Sequence, residues 1–348
     1  MIYLDNAATT ALAPEVLETM LPFMTDNYGN PSSIHALGRK SRTAIEKARK
    51  IVANHLSASV AEIFFTSGGT EATNTALYGA VQNLGVKHII SSPIEHHCVL
   101  HTLGALSKQQ YVKVHYLPLM PNGIIDLEAL EHLLSRFQGQ EKTMVSLMHA
   151  NNEIGNLLPL QKVSDLCKQY DALFHTDTVQ TFGYYPFNLS TLHLDFITGS
   201  AHKLHGPKGV GFLYINGKHK IDPFIHGGSQ ERNMRAGTEN LYGIVGLGTA
   251  TELAYQNLNT DQVHITSLKT YMRQQLREHF PMISINGDTE SNTHYKILSI
   301  CIPADLSADL LLINLDIAGI CASGGSACSS GVDVGSHVLQ ALNVHPDS

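Results

Sequence analysis

Lys203 lies in the run Gly-Ser-Ala-His-Lys-Leu-His-Gly-Pro-Lys-Gly at residues 199–209, downstream of Asp177 and Gln180 in His-Thr-Asp-Thr-Val-Gln at residues 175–180. A lysine amine can condense with an aldehyde, and a buried carboxylate keeps a pyridine nitrogen protonated, so that the ring withdraws electrons from a substrate carbon. Lys203 and Asp177 together therefore point to covalently held pyridoxal phosphate, with Gln180 placed to donate to the phenolic oxygen of its ring. For a lone lysine an exposed loop position is the ordinary reading. Here Ser200, His202 and Lys203 gather between a strand and a Gly-Pro-Lys-Gly turn.

Three further groups bear on the same chemistry. Thr66-Ser67-Gly68-Gly69-Thr70 follows a strand and opens a helix, which suits an anion because backbone N–H groups and the helix dipole converge there; by itself such a turn is ordinary punctuation. Glu95-His96-His97 follows another strand and Pro93; an imidazole there could stack on a flat ring and move a proton near neutral pH, or simply cap a helix. Cys328 sits in Ala-Ser-Gly-Gly-Ser-Ala-Cys-Ser-Ser-Gly at residues 322–331, too polar for core, so a reactive thiol is expected. Cys98, Cys167 and Cys301 fall in apolar segments and read as structural, while Cys321 is ambiguous.

The elements that must position these residues read as an α/β domain with a mostly parallel sheet. Short β-branched runs at 62–66, 88–91, 144–149, 173–176, 196–199 and 210–215 alternate with helix-length segments such as 71–80. A long helix is expected at 239–258. A second unit follows, smaller and α+β, with a helix at 260–279, strands at 282–286 and 296–303, and a helix at 308–317. The boundary is placed near residue 258.

Composition bounds the partners. The 348 residues are 43% hydrophobic and 15% charged, enough for a large core and against disorder. Thirty acidic residues outnumber 23 basic ones without a basic tract, which argues against direct nucleic-acid binding. No apolar run is long enough to cross a bilayer. Five scattered cysteines without a CxxC pair suit reduced thiols and a cytoplasmic protein, not a disulfide framework. The 20 histidines are dispersed, and no metal is expected.

Across almost its whole length the chain resembles the pyridoxal-phosphate cysteine desulfurases of the iron-sulfur cluster assembly group, within the class V aminotransferases. The resemblance is carried by residues 3–10 (Tyr-Leu-Asp-Asn-Ala-Ala-Thr-Thr), 29–33 (Gly-Asn-Pro-Ser-Ser), 66–71, Glu95-His96, 149–155 (His-Ala-Asn-Asn-Glu-Ile-Gly), His202-Lys203, 206–209, 226–228 and 235–238, and most specifically by Ser-Gly-Gly-Ser-Ala-Cys at 323–328. It implies pyridoxal-phosphate fold type I, aspartate aminotransferase-like, with a large domain over residues 14–258 and a small domain over residues 1–13 and 259–348.

It also implies roles. Lys203 would bind the cofactor aldehyde, and Cys328 would take sulfur from L-cysteine, releasing alanine. Gly69, Thr70, Ser200 and His202 would hold the phosphate. Asn152, Asp177 and Gln180 would position the ring under His96, and Thr238 would reach the phosphate of a neighbouring subunit, implying a homodimer. The persulfide formed on Cys328 would pass to an acceptor or cluster scaffold protein, for iron-sulfur assembly or tRNA thiolation. A final strand and helix carrying an arginine for the substrate carboxylate are also implied beyond residue 342, and residues 343–348 contain no arginine. The alternatives are a selenocysteine lyase, another class V enzyme, or a poorly active dimeric scaffold if that segment is essential.

Overall fold

The computed structural model of the chain describes residues 1–288, 293–303, 310–325 and 335–342. Its centre is a seven-stranded sheet of β1 (Ile63–Thr66), β2 (His88–Ser91), β3 (Lys113–Tyr116), β4 (Thr143–Ser146), β5 (Leu173–Asp177), β6 (Phe196–Ser200) and β7 (Gly211–Ile215). The spatial order is β1-β7-β6-β5-β4-β2-β3. β7 is antiparallel to both β1 and β6, and the remaining pairings are parallel.

The strands are hydrophobic on both faces because both are covered. Side chains alternate from face to face along each strand. Ile90, Val145, Phe174, Ile197 and Phe212 join one buried cluster, and their neighbours Ile89, Met144, Leu173, Phe196 and Leu213 join the other. The helices over the first face include α1 (Pro14–Thr25), α2 (Ala36–Leu56), α5 (Leu127–Phe137), α6 (Leu160–Gln169) and the first turns of α7 (Leu241–His279); α3 (Gly69–Gln82) and α4 (His97–Lys108) cover the second.

Six of the seven strands coincide with sequence expectations. The seventh, β3, is a half-exposed edge strand, Lys-Val-His-Tyr, whose hydrophobic signal is weak for that reason. The two helices expected on either side of residue 258 form one 39-residue helix, α7. Residues 249–279 contain neither glycine nor proline, so nothing in the backbone stops the helix there.

After α7 come strand pairs of two residues each. Ser284–Ile285 pairs antiparallel with Ile300–Cys301, and Ile320–Cys321, which follows α8 (Leu311–Ile317), pairs in parallel with Ile2–Tyr3. The latter pairing ties the first residues of the chain to its last third. A short helix, α9 (His337–Ala341), docks Val338 against Ile94 and Ile154.

Candidate active site

The residues singled out from sequence gather at the carboxyl ends of the parallel strands, where open α/β sheets bind ligands. Asp177 ends β5, Ser200 ends β6 just before a 3-10 turn Ala201–Lys203, Gly68 and Gly69 follow β1, and His96 follows β2. Four separate strand ends thus deliver side chains to one edge.

Lys203 is 9% exposed. Its Nζ donates to the carbonyls of Ala7 (2.6 Å) and Ala8 (2.7 Å), and its own carbonyl accepts the Tyr184 hydroxyl (2.7 Å). The N-terminal segment is strapped over the same turn: Thr10 N and Oγ1 both donate to the His202 carbonyl, at 2.9 Å each, and His202 Nδ1 lies 3.1 Å from Thr9 Oγ1. Burial, then the nearby Lys203, Lys208 and Lys296, bring the His202 imidazole down to about 4.

Asp177 is 7% exposed, and its Oδ1 accepts Val179 N–H at 2.8 Å. Burial raises its carboxyl to about 6, against the smaller opposing pull of that hydrogen bond and of Lys203. Gln180 is 4% exposed; its Nε2 donates to the Ala7 carbonyl (2.9 Å), while its Oε1 is buried without a hydrogen-bond partner among the described residues.

At the start of α3, Gly69 lies so near the chain leaving β5 that a Cβ would fall 2.7 Å from Val179 Cγ2 and 3.9 Å from Ser200 Cβ. Gly211 in β7 is glycine for a related reason, since a Cβ there would meet the Gly68 backbone at 2.8 Å. Thr70 is exposed in the first turn of α3. The loop is braced by Glu71, which accepts Ser67 N–H (2.9 Å) and the Arg235 guanidinium (3.0 Å). Arg235 in turn precedes the exposed Thr238.

His96 caps α4, its Nδ1 accepting Cys98 N–H at 3.1 Å. The proton of the neutral ring is therefore on Nε2. Burial, followed by Lys203, His97, His337 and His101, lowers this imidazole to about 4. The hydrogen bond to Cys98 N–H supports the helix-capping reading of His96.

Asn152 stands in the turn after β4. That turn is fixed by its neighbour Asn151, whose Oδ1 accepts Glu153 and Ile154 N–H groups (2.9 and 3.0 Å) and whose Nδ2 donates to the Ile94 carbonyl (2.8 Å). Asn151 thereby links the Asn152 turn to the His96 turn. Cys328 lies outside the described residues. The other thiols fit structural roles: burial drives Cys98 and Cys167 far above the ordinary thiol range, and Cys321 is held in the strand paired with Tyr3.

Sequence reasoning missed the carbonyls of Ala7 and Ala8, Tyr184 and Lys296. Ala7 and Ala8 carry no functional side chain, so they leave no compositional signal. Among the described residues no group of histidine, cysteine or acidic side chains is arranged to hold a metal ion, and no helix is long and apolar enough to cross a membrane.

This fold and site belong to a known class. The class-V aminotransferase family model matches residues 2–344, and the chain belongs to that family. A protein from Dictyoglomus turgidum named cysteine desulfurase IscS is 45% identical over 99% of this chain and 86% of its own length. A Bacillus subtilis protein named putative cysteine desulfurase IscS 1 is 41% identical over 98% of this chain and 89% of its own. Among solved structures, a NifS-like protein superposes with a TM-score of 0.90 at 38% identity, covering 99% of this chain and 90% of its own, and SspA in complex with cysteine does so with 0.83 at 30%, covering 99% and 95%.

Proposed function

We propose that the chain is a pyridoxal-phosphate-dependent cysteine desulfurase acting on L-cysteine. The observation that carries this reading is the convergence of Lys203, Asp177, Gln180 and His96 with the glycine turn of α3 on one sheet edge. The residues fit the cofactor. Gly69 lets the start of α3 lie against Val179 of the Asp177 turn, the Gln180 Nε2 that gives one N–H to the Ala7 carbonyl has a second to donate, and the raised Asp177 carboxyl would be stabilised by a pyridinium N–H.

In this assignment Lys203 would bind the aldehyde, Asp177 would pair with the ring nitrogen, Gln180 with the phenolic oxygen, and Asn152 and His96 would hold the ring. Gly69, Thr70, Ser200 and His202 would hold the phosphate, and Thr238 would reach that of a second copy in a homodimer. When bound, the cofactor supplies an electron sink for bond changes at the substrate α-carbon. Lys203, displaced by the substrate amine, takes up the α-proton. Cys328 thiolate attacks the substrate sulfur, so that an S–S bond forms as the C–S bond breaks; the three-carbon remainder takes a proton at its β-carbon, regains the α-proton from Lys203 and leaves as alanine. The sulfur stays on Cys328 as a persulfide until a thiol acceptor takes it, for cluster assembly or tRNA thiolation.

The same reading divides the chain into units of residues 14–258 and of 1–13 with 259–348, and places it in the cytoplasm. Its test is alanine released from L-cysteine by the purified chain supplied with pyridoxal phosphate and a thiol reductant. Activity lost in Cys328→Ala is expected. A cofactor-loaded protein that makes no alanine overturns the desulfurase assignment.

A further inference from the structure

Lys203 is not the only amine at its own turn. Lys296, in the segment that leads to Ile300–Cys301, reaches back so that its Nζ lies 3.3 Å from the Lys203 carbonyl and 3.9 Å from the centre of the Tyr184 ring. That carbonyl therefore takes two donors, the Tyr184 hydroxyl and the Lys296 amine. The backbone of Lys296 is itself anchored: its N–H donates to His294 Nδ1 (3.2 Å), and His294 Nε2 donates to the Gln180 carbonyl (2.7 Å). One short segment thus touches both the Gln180 and the Lys203 turns.

We propose that Lys296 is a positioning residue for Lys203, which it holds by the main-chain carbonyl and with which it competes for a proton. This rests on the functional reading above and adds a residue to it. Two like charges placed together disfavour double protonation. Burial, and then the charge of Lys203, hold the Lys296 amine well below the usual lysine range. Among the described residues the titratable groups around it are Lys203 and His202 of the turn after β6, Tyr184, its own neighbours His294 and Tyr295, and Lys269 of α7, with Asp261 of α7 acting on Tyr184 and Tyr295 and Asp177 acting on Lys203. What acts on the Lys296 amine is its burial and the Lys203 charge. Conversion of the Lys203 ammonium to the neutral amine relieves the repulsion on Lys296. The proton given up by the Lys203 ammonium can then reside on the Lys296 amine, one N–H bond breaking as the other forms, with no net charge change.

The test uses the full chain with Lys296→Met, Lys296→Gln and Lys296→Arg. In cofactor-free protein, trace acetylation by acetic anhydride across a pH series, read at the Lys203 peptide by mass spectrometry, gives the midpoint at which the Lys203 amine becomes reactive. Without a competitor for the proton the midpoint rises, and beside a permanent cation it falls, each by about one pH unit. The expected order is Met and Gln above wild type, and wild type above Arg. In protein loaded with pyridoxal phosphate, the midpoint of the pH-dependent absorbance change should follow the same order. Gln, which keeps a donor for the carbonyl, should retain the cofactor about tenfold longer than Met. Midpoints that coincide in all four proteins overturn the proposal and reduce Lys296 to a prop. If Arg fails to fold, the two neutral variants against wild type decide alone. A wild-type chain that takes up no pyridoxal phosphate while its labelling midpoints keep this order would sink the functional reading and leave the amine pair standing.

Discussion

Glu231 and Asp177 are both buried carboxylates, but their surroundings differ in one respect that separates support from chemistry. Glu231 is saturated. Arg49 grips it with two nitrogens at 2.7 and 2.8 Å, Phe65 N–H adds a third bond at 2.8 Å, and the guanidinium lies 4.7 Å from the Phe65 ring centre. This grip holds three successive residues, Glu231, Arg232 and Asn233, at positive φ, a backbone state that costs side-chain-bearing residues energy. Asp177 instead accepts Val179 N–H and keeps a raised proton affinity, beside a glutamine whose oxygen has no partner among the described residues. Glu231 is gripped by three charge-assisted or backbone donors, whereas Asp177 takes the Val179 N–H and has its proton affinity raised by burial.

The largest expected effect is on the unsaturated side. Lys203→Ala removes both the cofactor attachment and the base, and should lower alanine production by about 10⁴-fold, the upper range for a positioned proton-transfer group; steady-state alanine release from L-cysteine checks it. Melting of the cofactor-free protein should move only by the loss of the hydrogen bonds to the Ala7 and Ala8 carbonyls, about 1–3 kcal/mol. A Lys203→Ala protein that keeps more than about a tenth of the activity contradicts the assignment of the base.

On the saturated side the effect is on stability. Glu231→Ala leaves the Arg49 charge buried beside Phe65 with only the half-exposed Glu46 as its ionic partner, and such half-broken pairs cost up to about 3–5 kcal/mol. Urea unfolding of the cofactor-free chain should show this loss. Activity per folded molecule should fall only as far as the Arg235–Thr238 segment is disturbed. If stability is unchanged, the two carboxylates are not the opposites described above.

Asp177→Asn sharpens the contrast because its sign is reversed. The folded carboxyl at about 6 lies above its ordinary value of 3.8, so folding favours the protonated form. The stability it contributes is full below pH 3.8 and is lost as pH rises through 6. At pH 8 that penalty amounts to about 3 kcal/mol by linkage. Asparagine keeps an acceptor for Val179 and removes the penalty, so the cofactor-free variant should be the more stable at pH 8, with the gain disappearing near pH 4. It should nonetheless lose alanine production. Denaturation at the two pH values decides; a variant less stable at pH 8 would show that Asp177 is held for the fold after all.

The same contrast explains what could be read from the sequence. Lys203, Asp177, His96 and the Gly68–Gly69 turn were legible because each follows a β-branched run, and strand ends in α/β folds are marked by such local punctuation. Their partners were not, since the Ala7 and Ala8 carbonyls approach Lys203 from 195 or more residues away and act through backbone alone. Lys296 lies in a segment read only as a strand, and its role depends on where tertiary packing puts its amine. The unbroken α7 was misread as two helices because the change in composition near 258 resembles a boundary, although no residue there interrupts helical hydrogen bonding.

The smallest expected effect concerns His96, which stands between the two regimes because it serves the fold as a cap and faces the site as a ring. Replacing it with alanine removes the acceptor for Cys98 N–H and should cost about 1 kcal/mol at pH 8. Its folded value of about 4 lies below the ordinary 6.5, so the folded state resists protonation and wild-type stability falls as pH drops from 6.5 through 4. Alanine carries no such burden. The deficit of the variant should therefore narrow on acidification and reverse by about pH 5. Asparagine, a good cap without a ring, should recover the stability at pH 8 but not the rate of alanine release. If His96→Asn restores both, the imidazole is only a cap; if it restores neither, the ring packs in a way that the Cys98 hydrogen bond does not account for.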